Sequence, residues 1–298
     1  MSTSRLKQAS LFLSLIVAVG WSTGIRADDD HDQGRERATW FGTWATGPAG
    51  SIAAAPQFAN QTLRQIVHTS AGGDRVRVRI SNTFGAGPVA IGSAHVALRS
   101  SGSSIVPGTD RALSFSGKSS ITIPAGALVL SDPVALEIPA LSDLAVSIYL
   151  PVTAVADTNH ALALQTSYIA SGDVTGAASL SGATPTTSWF FLTGVDLSLG
   201  NRGGASVVCL GDSITDGANS TPDTNRRWPD VLARRLQARH ELSRIGVLDE
   251  GIIGNRILHP TEPAFGNLFG PAGLARFDRD VLAQAGVRYL IVLLGIND

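Results

Sequence analysis

The 298-residue chain has little cysteine and little charge, and each shortage excludes a class of protein. Cys209 is the only cysteine, so the chain cannot form an intrachain disulfide. This residue lies inside an apolar segment, which indicates a small core residue rather than a nucleophile. Charged residues make up 16% of the chain and the net charge is -1, so the sequence offers no basic surface for nucleic acid or an anionic membrane.

The chain also lacks a long hydrophobic run, and we expect no stable membrane span. The N-terminal run LFLSLIVAVG (11–20) has ten residues, which is too short to cross a bilayer comfortably. Arg5 and Lys7 precede this run, and Ala27 stands before the acidic segment DDDHD. The pattern predicts a signal peptide over residues 1–27 and a secreted or periplasmic protein, with an uncleaved anchor as the alternative.

The next segments differ in what they can bury. Residues 28–38 carry charges of both signs and few apolar side chains, which predicts a solvated, charged tether.

In DRVRVRIS (74–81), apolar side chains alternate with arginines, as in a strand with one apolar and one charged face. The same alternation recurs in SSITIP (119–124), VALEIP (134–139) and LAVSIYL (144–150). With turns between these segments, the pattern predicts an all-β sandwich or jelly-roll-like accessory domain over residues 39–200.

Two groups of side chains in this β-rich half have a functional and a structural interpretation. The aromatic group is Trp40, Trp44, Trp189 and Phe190. These rings suit either a sugar-stacking platform or the sandwich core, and we favour the core. The histidine group is His68, His95 and His160. Each of these histidines stands singly, without the spacing of a metal site.

The hydrophobic period changes after a glycine-rich junction near Gly200–Ala205. The predicted elements beyond it are strands at 206–210, 244–251 and 287–294 and helices at 228–240 and 271–286. The second helix is expected to bury an apolar face that includes Leu274. Alternating strands and helices predict an α/β fold, here the incomplete first part of a flavodoxin-like, doubly wound parallel sheet.

Three loops follow the three predicted strands, and in a parallel sheet such loops meet at the carboxyl edge. They are GDSITDG (211–217), GIIGN (251–255) and GIND (295–298). Ser213 stands where a strand turns into a helix, so its hydroxyl can attack an acyl carbon once a base removes its proton. The backbone N–H groups of Ser213 and Gly254 and the side-chain amide of Asn297 would then stabilise the oxyanion.

In this order after successive strands, the three loops resemble the sequence blocks of the SGNH (GDSL) hydrolase superfamily. The likeness covers residues 205–298, the N-terminal part of such a domain. It implies that Ser213 is the catalytic nucleophile and that Gly254 and Asn297 belong to the oxyanion hole. It also implies an ester hydrolase, a GDSL-type esterase or lipase, that forms an acyl-enzyme, uses no cofactor or metal, and acts on a small-molecule or polysaccharide ester.

The superfamily's Asp-x-x-His block, which follows the third block and supplies the catalytic base, is not found after GIND (295–298) in this sequence. We therefore expect a fragment of a longer enzyme, with little activity of its own. The apolar strand VRYLIVLL (287–294) supports this expectation, because it would otherwise form a long unpaired edge. His259, close to the second block, is an open alternative as the base. Asp212 and Asp216 are expected to accept hydrogen bonds from nearby turn amides.

Two other classes of function stay open. A non-catalytic, carbohydrate-binding surface protein would depend on the β-rich half alone. A metal-dependent phosphoesterase is loosely suggested by Asp212, Asn255 and Asn297, without the cluster of His and Asp ligands that such a site needs. Among esters, the absence of a long apolar lid favours short-acyl or carbohydrate acetyl esters over long-chain lipids.

Overall fold

The structure, a computed structural model, describes residues 16–18, 39–50, 54–265 and 267–298. The predicted signal peptide and tether lie outside these residues, apart from a short strand at 16–18. The strands up to residue 198 are β1 Ile16–Ala18, β2 Trp40–Ala45, β3 Gln57–Phe58, β4 Gln61–His68, β5 Gly73–Ser81, β6 Val89–Ile91, β7 Ser93–Ser101, β8 Ser104–Ile105, β9 Arg111–Ala112, β10 Ile121–Ile123, β11 Leu128–Leu130, β12 Val134–Ile138, β13 Asp143–Leu150, β14 Ala154–Val155, β15 Asn159–His160, β16 Ser167–Ser171, β17 Thr184–Thr186, β18 Trp189–Phe190 and β19 Leu192–Ser198. The later elements are β20 Ala205–Gly211, α1 Ser213–Asp216, α2 Trp228–Gln237, a 3-10 helix His240–Leu242, β21 Ile245–Gly251, a 3-10 helix Pro263–Phe265, a π-helical segment Asp278–Leu282 and β22 Val287–Leu293.

Two antiparallel sheets form the β-rich half, as predicted. One has the order β11-β5-β19-β2, with β12 also beside β5, and the other has the order β17-β16-β4-β13-β7-β8, with β9 also beside β7. Val76, Val78 and Ile80 of β5 are fully buried in the core, which confirms the predicted apolar face. Arg79, on the opposite face, is buried as well. That face packs against the second half of the chain, where the Arg79 guanidinium donates to Gln284 Oε1 at 2.8 Å.

The four aromatic residues of this half belong largely to its core. Trp44, Trp189 and Phe190 are at most 8% exposed. The rings of Trp44 and Trp189 meet edge to face with their centroids 4.9 Å apart, and the Arg77 guanidinium covers Trp40 at 4.5 Å. Because a sugar-stacking platform needs exposed ring faces, the core interpretation is confirmed for the three buried rings.

Three parallel strands form the sheet of the second half, in the order β22-β20-β21. Helix α2 covers one face, where Ala233 packs in a cluster with Cys209. The π-helical segment and β2 cover the other face, through Val281 and Ala45 packed with Val208. Cys209 is fully buried, and burial raises the pKa of its thiol well above the ordinary value, so it is a core residue. An α/β sheet is therefore confirmed for three strands, and the larger flavodoxin-like sheet stays a prediction.

The outer edge of β22 differs from the expectation of a bare strand. β1 pairs antiparallel with β22 along Leu290–Val292, so the edge is covered over three residues. Helix α2, with ten residues, is the longest helix in the described part of the chain. No helix in that part is both long enough and apolar enough to cross a bilayer.

The predicted helix at 271–286 is wrong in extent. Only the π-helical segment within it is regular, and Leu274, expected on the buried face, is 64% exposed. The reason is a polar pair that points inward instead. Arg276 and Asp280 are at most 1% exposed and form an ion pair at 3.0 Å. A π turn closes hydrogen bonds over five residues, so it also shifts the side chains off the 3.6-residue period.

Strand β2 joins the two halves of the molecule. Gly42 N–H in β2 donates to Ala285 O at 3.0 Å, and Val247 N–H in β21 donates to Ser70 Oγ at 2.8 Å. These buried bonds run from the β-rich half to the parallel sheet, so the sandwich packs directly on one face of that sheet. The predicted domain limits themselves stay predictions, with β19 ending at Ser198 and β20 beginning at Ala205.

Candidate active site

The three predicted site loops lie at one edge of the parallel sheet. β20 is the central strand, and its last residue, Gly211, is level with Gly251 of β21 on one side and Leu293 of β22 on the other. The predicted site residues follow these three positions: Ser213, Gly254 and Asn297. Since all three strands run in the same direction, the structure brings the three loops together at the carboxyl edge, as the sequence predicts.

Ser213 is the first residue of the short helix α1. Asp212 caps this helix, and its Oδ1 accepts from Ile214 N–H at 2.9 Å, as predicted for a turn carboxylate. Burial raises the pKa of Asp212 above its usual value. Gly211 lets the helix start this close to the strand, because a Cβ there would lie 2.0 Å from Thr215 Oγ1. Ser213 is half-buried, and no hydrogen bond joins its hydroxyl to another described residue.

Gly254 lies in the turn that follows β21. Its φ of 69° is in the left-handed region, and a Cβ at this position would lie 2.6 Å from the Phe269 ring. Both the backbone and the available space therefore require glycine. Asn255 N–H donates to Ile252 O at 3.1 Å and closes the turn.

The side chain of Asn297 lies against this turn. Its Nδ2 donates to Asn255 O at 3.0 Å, which ties the third loop directly to the second. Asn255 itself is fully engaged: its Nδ2 donates to Phe269 O and Pro271 O at 2.7 and 2.8 Å, and its Oδ1 accepts from Arg276 Nε at 3.0 Å. The Asn255 side chain therefore holds the second loop in place. Among the described residues, no group of three His, Cys, Asp or Glu is placed to hold a metal ion.

Arg276 is a site residue that sequence reasoning missed. Its guanidinium donates to Gly211 O at 2.9 Å and to Glu250 O at 2.8 Å, and so joins the carboxyl ends of β20 and β21. It also bonds the Asn255 side chain and pairs with Asp280. One side chain therefore fixes the bases of the first and second loops. The signal in the sequence was an arginine and an aspartate four residues apart in an otherwise apolar helical pattern.

His160 is the second missed residue, and it comes from the β-rich half. Its Nε2 lies 3.0 Å from Asp216 Oδ1 and its Nδ1 lies 2.9 Å from Gly47 O. Burial lowers the pKa of His160, but the Asp216 charge and the hydrogen bonds outweigh it, so the pKa is raised. A carbonyl and a carboxylate both accept, so the pair is satisfied when both ring nitrogens carry protons. With both nitrogens engaged, His160 is not available to take the Ser213 proton.

The remaining histidines near the sheet do not contact the nucleophile. His240 begins a 3-10 helix after α2, and His259 is exposed in the loop beyond the second block. Neither forms a hydrogen bond with Ser213 in the described part of the chain. The base that would activate Ser213 is therefore not identified among the described residues, and His259 in that role stays a prediction.

A polar cavity of about 30 Å³ lies between the two halves, beneath the first loop. His160, Asp216, Arg227 and Asp249 line it together with apolar and other polar residues. Burial raises the pKa of Asp249 to about 7; the positive charge of Arg227 opposes this, and the Asp216 carboxylate adds a smaller upward effect. Asp249 Oδ2 has no hydrogen-bond partner among the described residues. The cavity thus holds an acid that is stable in the fold mainly in its neutral form.

Replacing this acid should stabilise the fold in alkaline solution. Between pH 4 and pH 7 the unfolded chain ionises Asp249 while the folded chain keeps it protonated, so the native state loses stability as pH rises through that window. Asp249→Asn keeps the neutral form at every pH, and Asn Oδ1 can still accept from Gly251 N–H. We expect the variant to exceed the parent by about 2–4 kcal/mol at pH 8 and by little at pH 4. Urea unfolding at both pH values measures the difference.

Asp74→Asn is the matched control, because the Asp74 side chain, near the start of β5, is 51% exposed. It should change the free energy of unfolding by less than about 0.5 kcal/mol at either pH. An Asp249→Asn variant that is destabilised at pH 8 would show that the carboxylate is needed in its charged form.

Part of this chain is similar to a known protein family. Residues 209–298 match the model of the GDSL-like Lipase/Acylhydrolase family. The match begins inside β20 and includes all three loops at the carboxyl edge, so the resemblance drawn from those loops is confirmed for this part of the chain. A comparison with curated proteins returned no match.

Proposed function

We propose that this chain, whose residues 209–298 form a GDSL-like acylhydrolase segment, belongs to an exported serine ester hydrolase with Ser213 as its nucleophile. The observation that carries the proposal is the arrangement at the carboxyl edge: Ser213 begins α1 at the end of the central strand, and the loops of Gly254 and Asn297 end the two flanking strands. Export rests on the N-terminal pattern of residues 1–27 alone.

In the proposed reaction, Ser213 Oγ attacks the acyl carbon of the ester while a base accepts the hydroxyl proton. The carbonyl oxygen becomes an oxyanion, which the N–H groups of Ser213 and Gly254 and the Asn297 amide stabilise. The C–O bond to the alcohol then breaks, the alcohol leaves with a proton, and water hydrolyses the acyl-enzyme to release the acid. The family resemblance implies that the base is the histidine of an Asp-x-x-His block.

The bond between Asn297 and Asn255 fits this role. An amide nitrogen carries two hydrogens, and only one is used in donating to Asn255 O. This bond fixes the orientation of the carboxamide and leaves the second N–H to donate to an oxyanion. Preorganised donors of this kind act without reorientation during the reaction.

Covalent labelling tests the nucleophile directly. In a protein that carries this chain together with the Asp-x-x-His block, a fluorophosphonate that reacts with activated serines should form one adduct, and peptide mapping by mass spectrometry should place it on Ser213. Ser213 attacks the phosphorus, fluoride leaves, and the serine proton passes to base or solvent. An adduct on a different serine, or no adduct after prolonged incubation, would remove the basis of the proposal.

We propose short-acyl esters or acetylated carbohydrates as substrates, on the basis of export and of the sandwich packed against the hydrolase segment. A series of aryl esters from two to twelve acyl carbons, run beside acetylated xylan, tests this choice. The proposal expects the highest kcat/KM for the shortest chains or for the polysaccharide. A preference for chains longer than about ten carbons would assign the enzyme to lipids instead.

A further inference from the structure

We propose that the β-rich half is part of the catalytic apparatus, and that His160 is a positioning residue for the first two loops. The inference rests on the proposed function, because it names what holds the nucleophile and one of the oxyanion donors in place. It assigns to the sandwich a role that a separate binding module would not have.

Asp216 is the junction on which the proposal depends. This residue ends α1, three positions after the nucleophile, and is 2% exposed. Its Oδ1 contacts His160 Nε2 at 3.0 Å, and its Oδ2 accepts from Ile253 N–H at 2.8 Å. Ile253 directly precedes Gly254. A continuous chain of contacts therefore runs from the sandwich through α1 to the residue beside the predicted oxyanion donor.

A second set of contacts holds the loop that follows α1. Asp223 accepts from Gln165 Nε2 at 2.7 Å and from the N–H and hydroxyl of Thr166 at 2.6 and 2.7 Å. Its own N–H donates to Leu164 O at 2.9 Å. Arg227 donates to Asp216 O at 2.7 Å and to Ala163 O. The sandwich segment 159–166 thus holds the loop after α1 at both of its ends.

The charges explain why this contact is more than ordinary packing. His160 and Asp216 are both nearly inaccessible, and a buried pair that loses one partner leaves an uncompensated charge. Asp216 without His160 would draw water or a new donor toward it, and it would move away from Ile253 N–H. Oxyanion donors must stay within about 0.5 Å of their productive geometry, so such a shift would reach the chemistry.

Hydrogen exchange measures this positioning without requiring turnover. His160→Leu should accelerate amide exchange about tenfold or more in peptides covering 212–218 and 252–257, because their links to the sandwich are lost. Exchange in β5 and β13, deep in the sandwich, should stay unchanged. His95→Leu is the matched control: His95 also pairs with an aspartate, Asp110 at 2.8 Å, but entirely within the sandwich. It should leave both loop peptides as they are in the parent.

Two further variants keep the test decisive if His160→Leu folds poorly. His160→Gln retains a donor toward Asp216 without the charge and should restore part of the protection, and Asp216→Ala, which removes both carboxylate oxygens, should reproduce the loss in peptide 252–257. Unchanged exchange in these peptides, or faster exchange by the same factor throughout the chain, would overturn the inference.

The fluorophosphonate reaction separates this inference from the proposed function. If the parent is labelled on Ser213 and His160→Leu is labelled at the same rate, the positioning role is wrong and the hydrolase stands. If the parent is not labelled but the loop peptides lose protection in His160→Leu, the hydrolase proposal fails and the positioning contact stands.

Discussion

Replacing Ser213 by alanine, in a protein that also carries the Asp-x-x-His block, is expected to abolish covalent labelling by a fluorophosphonate and to lower ester turnover by about 10³-fold or more. The hydroxyl is the only atom of this residue that could form the acyl-enzyme, and the residue is half-buried at the start of α1. The backbone of α1 should persist, since Asp212 still caps it through Ile214 N–H. Labelling kinetics and initial rates with a short aryl ester measure the effect.

Ser220→Ala is the matched control for this variant. Ser220 lies seven residues further along, in the loop after α1, and its backbone N–H bonds Gly217 O. Its loss should leave labelling and turnover within a factor of about two of the parent. An unchanged rate in Ser213→Ala, with loss of rate in Ser220→Ala, would show that Ser213 is not the nucleophile and that a different hydroxyl is.

The placement of the three loops could be predicted from sequence because it depends on local patterns. Short, largely apolar runs at VVCL (207–210), IGVL (245–248) and YLIVLL (289–294) are each followed by a glycine within three residues, which marks the end of a strand. Parallel strands put their carboxyl ends on one edge, so three such ends converge whatever lies between them. The alternating period of β5 identified the sandwich in the same way.

His160 could not be assigned from sequence because its partner is set by how the two halves pack. It stands 56 positions from Asp216, in a two-residue strand. The arginines of β5 show the same limit. Their alternation indicated one charged face, yet Arg79 is buried because the second half of the chain covers that face. Contacts between the two halves of the molecule leave no periodic pattern in the sequence of either half.

The prediction of a helix over 271–286 was wrong in extent for a related reason. Hydrophobic periodicity assumes that apolar side chains face inward, and Arg276 breaks that assumption. Its guanidinium donates to backbone carbonyls at the ends of β20 and β21, and Asp280 balances its charge. A buried polar network of this kind outweighs the burial of Leu274, which stays 64% exposed.

Arg276→Met is expected to lower the free energy of unfolding by about 3–5 kcal/mol, the largest loss of stability that we predict for one side chain. Methionine fills a similar length but donates no hydrogen bond, so Gly211 O, Glu250 O and Asn255 Oδ1 each lose a donor in a buried site. Asp280 keeps a second partner in Arg279, at 2.8 Å, which limits the loss. Urea unfolding followed by fluorescence and by circular dichroism measures it.

An arginine-to-methionine substitution on the surface shows whether the loss of stability is specific to this buried network or follows from losing any arginine. Arg235 is exposed on α2, and Arg235→Met should change stability by less than about 0.5 kcal/mol. Arg276→Lys is the informative intermediate: an ammonium can still pair with Asp280, but a single point charge cannot bond two strand ends and an asparagine together. If Arg276→Lys recovers most of the stability, the ion pair dominates. If the stability of Arg276→Lys stays close to that of Arg276→Met, the bonds to the strand ends dominate. In that case Ser213 labelling should slow in both variants, because the first and second loops lose the side chain that supports both of them.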